Sequence, residues 1–203
     1  MTLRTINIPG HAYFVTSKVY QNQNIFVHKK FCEIIITNLK FYRKSKNFKL
    51  LGYVIMPNHL HTVIWPLGKY SISDILRDFK KQTAKEIITV LREGGIQNPA
   101  EIANPGEVGI CNPAVMAGRI QNPTFSELLN VFTVNSKKQT CRLWQSRNWI
   151  ENIYSKKFLA QKLNYIHNNP VRAKMVKQPE NYQYSSFRHY FPLQINSKRD
   201  CLV

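Results

Sequence analysis

Two histidines separated by one residue, His59 and His61, are the first side chains whose type and spacing could do chemistry. They open a β-prone stretch, and side chains two apart on a strand point to the same face. Paired imidazoles on one face suit a divalent-metal site. The spacing alone fits two ordinary histidines on a half-buried strand better, so the hypothesis needs a nucleophile elsewhere in the chain.

A tyrosine on a later helix is the candidate nucleophile. Ser155 is predicted to cap a helix that reaches about residue 168 and is ended by Asn169-Pro170. Tyr165 then lies beside Gln161 one turn back and Asn169 one turn on, because residues four apart are neighbours on a helix. Spacing alone favours a core tyrosine whose hydroxyl is satisfied.

Charge is the strongest compositional signal. The chain has 29 Lys and Arg against 11 Asp and Glu, a formal net charge of +18, which indicates a polyanionic partner such as nucleic acid. Its 10 Tyr and 11 Phe suit single strands, whose exposed bases stack on aromatic rings. The predicted phosphate-binding residues are Arg77, Lys80, Lys81, Lys85, Arg172, Lys174 and Lys177.

Other classes of protein are disfavoured by the sequence. No apolar run approaches the roughly 18 residues of a membrane span, and residues 1–6 lack the apolar segment of a signal peptide. The 4 cysteines are scattered, which fits neither a zinc knuckle nor a disulfide framework and suits a reducing cytoplasm. We therefore expect a cytoplasmic protein with no membrane partner.

The order of predicted elements is strand, helix, strand, strand, helix, short helix, strand, helix. In numbers these are residues 11–20, 31–42, 49–56, 60–65, a helix from Ser71 or Ser73 to about 92, then 127–134, 143–154 with its approach, and the helix after Ser155. A segment rich in Asn-Pro, at about 94–125, predicts a loop-like insert. We expect one domain over 1–192 and a polar tail over 193–203.

Several motifs resemble a known family. They are Met56-Pro57-Asn58-His59-Leu60-His61, Leu143-Trp144-Gln145, Tyr165-Ile166-His167-Asn168-Asn169-Pro170-Val171-Arg172-Ala173 and Tyr184-Ser185-Ser186. The first resembles the HUH motif of single-tyrosine transposases of the IS200/IS605 type, and the others resemble the REP-associated tyrosine transposase branch. The resemblance spans about residues 8 to 190, and its one large departure is the insert.

This resemblance implies a fold and a site. The fold is a ferredoxin-like α+β sandwich, an antiparallel sheet with helices packed on it. The nucleophile falls on Tyr165, and the metal-binding histidines fall on His59 and His61. The third ligand falls on Asn169, with Asn168 or Gln161 as alternatives.

The resemblance also implies a reaction. With Mg²⁺ or Mn²⁺, the protein would cut and rejoin single-stranded DNA at hairpin-containing ends through a 5′-phosphotyrosine intermediate. We expect a monomer rather than the dimer of the IS200/IS605 type. Two alternatives remain open at this stage. One is a non-catalytic nucleic-acid-binding regulator on the same fold, and the other is a metal-dependent nuclease in which the histidines activate water.

Overall fold

The structure, a computed structural model, describes residues 8, 10–93, 123–136 and 139–188. Its elements are β1 (Ala12–Lys18), α1 (Lys29–Ser45), β2 (Phe48–Met56), β3 (His59–Pro66), α2 (Ile72–Glu93), α3 (Phe125–Phe132), β4 (Thr133–Ser136), β5 (Gln139–Cys141), β6 (Trp149–Ile153) and α4 (Lys156–Arg172). The predicted insert, apart from residues 123–125, and the predicted tail lie outside the described residues. No described helix is both long and apolar enough to cross a bilayer.

Four strands form the main sheet in the order β2-β3-β1-β6. Every neighbouring pair is antiparallel, and β1 and β3 occupy the centre. The turn predicted at Pro57-Asn58 joins β2 to β3, where Met56 pairs with His59. The predicted ferredoxin-like α+β fold is confirmed by this sheet and the helices packed on it.

The sheet has two buried faces. Tyr13 and Val15 of β1 share a cluster with Ile64 of β3 and with Ile72 and Ile75 of α2, so α2 covers that face. The alternate residues of β1 point the other way, because successive side chains on a strand alternate. Phe14 contacts Tyr165 of α4, so α4 covers the second face. The candidate chemistry therefore lies between the sheet and α4.

Helix α4 is longer than the sequence predicted. Its N-cap is Ser155, as predicted, with Oγ accepting from Phe158 N at 3.1 Å. The expected end at residue 168 is wrong, because the helix continues to Arg172 with Pro170 inside it. Proline removes one helical hydrogen bond and its ring crowds the preceding turn. Pro170 is buried in the last turn, and that turn is closed by Ala173 N donating to Asn169 O at 2.9 Å.

Caps define the other helix starts. Ser71, rather than Ser73, caps α2, because Asp74 N donates to Ser71 Oγ at 3.1 Å and Ser71 N donates to the Asp74 carboxylate. The predicted helix over 127–134 lies two residues too late. Thr124 and Glu127 form a capping box that begins α3 at Phe125, and the chain becomes extended from residue 133.

The segments around Leu143 and Tyr184 connect separate elements of the fold. Trp144 Nε1 donates to Thr83 Oγ1 of α2 at 3.0 Å, and Gln145 N donates to Lys18 O at 2.9 Å. The segment from residue 182 to 186 lies along β2, where Ile55 N donates to Tyr184 O at 2.9 Å. This segment covers the outer edge of the sheet, which would otherwise leave backbone groups unpaired.

Candidate active site

The two histidines at the start of β3 point at each other. Their Nε2 atoms lie 3.1 Å apart, and their ring centroids are 4.6 Å apart. His61 is 5 % exposed, and its ring stacks on Phe14 of β1 at 5.4 Å. The prediction that both side chains share one face of the strand is confirmed, and that face is the one covered by α4.

The other ring nitrogens of the pair have oxygen partners. His59 Nδ1 lies 2.6 Å from Asn58 Oδ1, and His61 Nδ1 lies 2.8 Å from Thr16 Oγ1. An amide oxygen only accepts, so His59 carries its proton on Nδ1 and presents the Nε2 lone pair. The Thr16 hydroxyl can accept from or donate to His61 Nδ1, so the proton of His61 can lie on either ring nitrogen. With the proton on Nε2, His61 donates to His59 Nε2; with the proton on Nδ1, both Nε2 lone pairs are free to bind a cation.

Burial keeps both imidazoles neutral. It lowers the pKa of His59 to about 4, with the positive charge of Lys18 adding to the effect. It lowers the pKa of His61 to about 3, with further contributions from His59, Lys18 and Lys162. A neutral imidazole is the form that binds a metal ion. The site is therefore in its ligating state at neutral pH.

Tyr165 of α4 lies against this pair. Its ring meets the ring of His61 edge-on at 5.5 Å and the ring of Phe14 at 5.9 Å. The side chain is 38 % exposed, so it is not the fully buried core tyrosine that spacing alone favoured. A partly exposed phenol beside paired imidazoles has access to solvent and to a ligand held at the histidines.

The donor set fits a divalent ion. Asn169 lies one turn after Tyr165, and its Nδ2 is buried without a hydrogen-bond partner, whereas a cation would bind its Oδ1. Asn168 Nδ2 donates to Asn164 O at 2.9 Å, which leaves its Oδ1 available as well, and Gln161 is exposed. No three His, Cys, Asp or Glu side chains cluster in the part of the chain described. Two imidazoles and an amide suit Mn²⁺ well and Mg²⁺ less obviously.

Cations surround the pair and the tyrosine. Lys18 pairs with His59 across β1 and β3 and is exposed. Lys162 Nζ lies 4.7 Å from the ring centroid of Phe14 and 2.6 Å from the carboxylate of Glu151. The guanidinium carbon of Arg172 lies 5.5 Å from the ring centroid of Tyr165. The site is electropositive, as an anionic substrate requires.

A comparison with protein families matches residues 10–93 to the family described as Transposase IS200 like. The matched residues run from β1 to the end of α2 and include both histidines. The predicted resemblance to IS200-like transposases is confirmed. Tyr165 lies outside the matched residues, so its role rests on the motif around it and on its contact with His61.

The fold is shared with a solved structure. A REP-associated tyrosine transposase bound to a REP hairpin is 17 % identical, with a TM-score of 0.62 over 97 % of this chain and 88 % of that chain. A putative transposase from Deinococcus radiodurans R1 is 12 % identical, with a TM-score of 0.43 over 82 % of this chain and 97 % of that chain. No curated protein shows a significant match.

The predicted phosphate-binding residues fall on two sides of the sheet. Arg172, Lys174 and Lys177 lie at or just after the end of α4, and Arg172 contacts the ring of Tyr165. The α2 group lies beyond the opposite face. Within that group Lys80 Nζ donates to Gln145 O at 2.6 Å, and burial lowers its pKa to about 8. Arg77 forms ion pairs with Asp74 and Asp78, whereas Lys81 and Lys85 are exposed.

Five residues at the candidate site were not predicted from the sequence. They are Phe14, Thr16, Lys18, Asn58 and Lys162. Asn58 was interpreted only as a turn residue, although its position next to His59 could have suggested a partner for that ring. The β1 residues could not be assigned, because their approach to His61 depends on the register between two strands distant in sequence.

Proposed function

We propose that this protein is a transposase that cuts and rejoins single-stranded DNA at hairpin-containing ends, with Tyr165 as the nucleophile. The observation that carries the proposal is the contact between the Tyr165 ring and His61, whose Nε2 converges with that of His59. The family match to transposases and the fold shared with a protein bound to a REP hairpin support hairpin DNA as the substrate.

The proposed step is a transesterification. The Tyr165 oxygen attacks a backbone phosphorus, the bond from phosphorus to the 3′ oxygen breaks, and the phenol proton is lost while the leaving oxygen takes up a proton. The products are a 5′-phosphotyrosine and a free 3′-hydroxyl. One phosphate ester replaces another, so a later 3′-hydroxyl can attack the phosphotyrosine and join strands without an energy source.

His59, His61 and Asn169 are the residues that would hold the metal. A bound Mg²⁺ or Mn²⁺ would polarise a phosphate oxygen as a Lewis acid. Asn58 and Thr16 hold the two imidazoles in the orientation that ligation needs, since each contacts the Nδ1 atom opposite the ligating Nε2. The rings of Phe14 and Tyr165 cover His61 and limit its access to water.

The predicted basic residues divide the binding between two regions. We assign Arg172, Lys174 and Lys177 to phosphates next to the cut, because Arg172 already contacts the Tyr165 ring. The exposed Lys81 and Lys85 would meet phosphates farther from the cut, since α2 covers the opposite face of the sheet. Lys80 and Arg77 would contribute charge while they keep their contacts within the protein.

A covalent adduct tests the proposal. Hairpin DNA from palindromes next to the gene, labelled at its 3′ end, is incubated with the protein and Mn²⁺ and then denatured. We expect a labelled protein–DNA adduct that is absent with EDTA and absent in Tyr165→Phe. Tyr154→Phe is the matched control, because Tyr154 is 73 % exposed and lies just before α4. It should form the adduct normally.

Each of the other possible results would indicate a different activity for this protein. Cleavage without an adduct would mean that water is the nucleophile and that the chain is a hydrolytic nuclease. Binding without cleavage, across several hairpins, would make it a regulator. An adduct that persists in Tyr165→Phe would exclude Tyr165 as the nucleophile.

A further inference from the structure

One tryptophan on the sheet is left in solvent. Trp149, the first residue of β6, is 69 % exposed, whereas Trp144 is 5 % exposed. Large aromatic side chains dominate cores and interfaces because they remove much apolar area from water. A tryptophan held on a strand and left exposed is therefore a candidate contact for a ligand.

Trp149 lies on the same face of the sheet as the candidate active site. It also belongs to the row of paired residues Trp149, Thr16 and His61, which runs across three strands. Glu151, two residues on, pairs with Lys162 of α4, so Trp149 also points to the face that α4 covers. Across the sheet, Trp149 is paired with Thr16, and Thr16 is paired with His61. Two strand spacings separate the backbones of Trp149 and His61, a distance of roughly 10 Å.

Positive charge lies beside this row. Lys18 is two residues from Thr16 on the same strand, which makes it a diagonal neighbour of Trp149. Lys18 is exposed and acts electrostatically on both histidines. An exposed aromatic ring next to a cation is the combination that single-stranded nucleic acid uses, with a base on the ring and a phosphate at the charge.

We propose that Trp149 is a stacking platform for a base of single-stranded DNA, one whose nucleotide lies next to the phosphate held at His59 and His61. The stacked base would fix the strand along the row from Trp149 to His61 and so set which phosphate meets Tyr165. The position of this base relative to the cut rests on the proposed function. The stacking of a base on Trp149 does not rest on it, because stacking needs neither a metal nor a nucleophile.

Equilibrium binding tests the platform without chemistry. Fluorescein-labelled oligothymidylate is titrated by anisotropy in EDTA, with all variants made in the Tyr165→Phe background. Trp149→Ala should weaken binding about 5- to 150-fold, the range for loss of one stacked base. Trp149→Phe should recover most of the affinity. The slope of log affinity against log salt should stay unchanged, since no phosphate contact is lost.

Phe41→Ala is the matched control. Phe41 is 60 % exposed and lies on α1. Its neighbour Tyr42 packs on the side of the sheet that α2 covers, away from the face that carries Trp149. Phe41→Ala should bind as tightly as the parent. A loss below about fivefold in Trp149→Ala, an equal loss in Phe41→Ala, no recovery in Trp149→Phe or a changed salt slope would each overturn the proposal. Sedimentation of the parent and of Trp149→Ala gives a further check. A change from dimer to monomer on this substitution would also overturn the proposal, because Trp149 would then be a contact between two copies of the chain.

Abasic sites locate the base relative to the cut. One base at a time is removed from the hairpin substrate, and single-turnover cleavage is measured with the active protein. We expect slowing at one position within about two nucleotides of the cut, since Trp149 and His61 are only two strands apart. In Trp149→Ala, removal of that base should no longer slow cleavage. If the effects of the abasic site and of Trp149→Ala add, or if the sensitive base lies farther from the cut, the proposed position of the base is wrong. Failure of all cleavage would reject the proposed function and leave the binding result to decide stacking.

Discussion

The neighbours of each histidine in the pair affect which ring nitrogen carries the proton. An imidazole can ligate through Nε2 only if its other nitrogen keeps the proton, and a hydrogen bond to Nδ1 sets which nitrogen that is. Asn58 supplies that contact for His59 from the preceding turn, and Thr16 supplies it for His61 from a neighbouring strand. Under the proposed function, Thr16 would be a positioning residue that acts through His61.

Replacing Thr16 by valine removes this contact while keeping the shape of the side chain. We expect a loss of about 10- to 100-fold in Mn²⁺ affinity, the usual effect of deleting a partner of a ligating histidine. Calorimetric titration with Mn²⁺ measures it. Thr62→Val is the control, because Thr62 is equally buried but lies on the opposite face of β3. Equal affinities in the two variants would exclude an orienting role for Thr16.

At the scale of elements, the sequence predicted most of the framework. The strands that became β1, β2 and β3 follow from β-prone runs around a Pro-Asn turn, and Ser155 correctly marked the start of α4. The end of α4 was missed because proline ordinarily stops a helix, whereas burial of Pro170 in the last turn offsets the one bond it removes. The contact between α4 and the histidines was implied by the family resemblance alone, because a tertiary contact has no local sequence signal.

The distance between α4 and the sheet depends on a glycine. A Cβ atom at Gly52 of β2 would lie 2.6 Å from Leu163 Cδ2 and 2.8 Å from Ile166 Cδ1. Gly52→Ala therefore requires the ends of these two side chains, which pack the helix that carries Tyr165 against the sheet, to shift. We expect a loss of about 1–3 kcal/mol in the free energy of unfolding, measured by urea denaturation, together with slower adduct formation.

A compensating change makes the Gly52 prediction specific. Leu163→Ala removes the nearer of the two crowded atoms, so the double variant should lose less stability than the two single losses added together. Additive losses would show that the crowding is not between these residues. In that case the close approach of α4 to β2 would not depend on the missing side chain at Gly52.

For the whole molecule, buried histidines link stability to pH. Burial lowers the pKa of His59 and of His167 to about 4 and that of His61 to about 3. In the unfolded chain an ordinary histidine titrates near 6.5. As pH falls below about 6.5, the unfolded chain takes up protons that the folded protein does not accept, so acid favours unfolding. The stabilisation is complete above that pH and is lost as pH falls toward 4.

The metal-free protein should therefore lose stability between pH 7 and pH 5, where most carboxylates remain ionised. We expect a slope of about 1 kcal/mol per pH unit for each of the three histidines once pH is below 6.5, measured by urea denaturation in EDTA. Replacing both His59 and His61 by asparagine should remove the part of the slope due to the pair and leave the parts due to His167 and to His28, whose pKa burial also lowers. A slope unchanged by the double replacement would mean that the pair is already protonated or solvated in the folded protein, and the neutral, ligating state described for His59 and His61 would then be wrong.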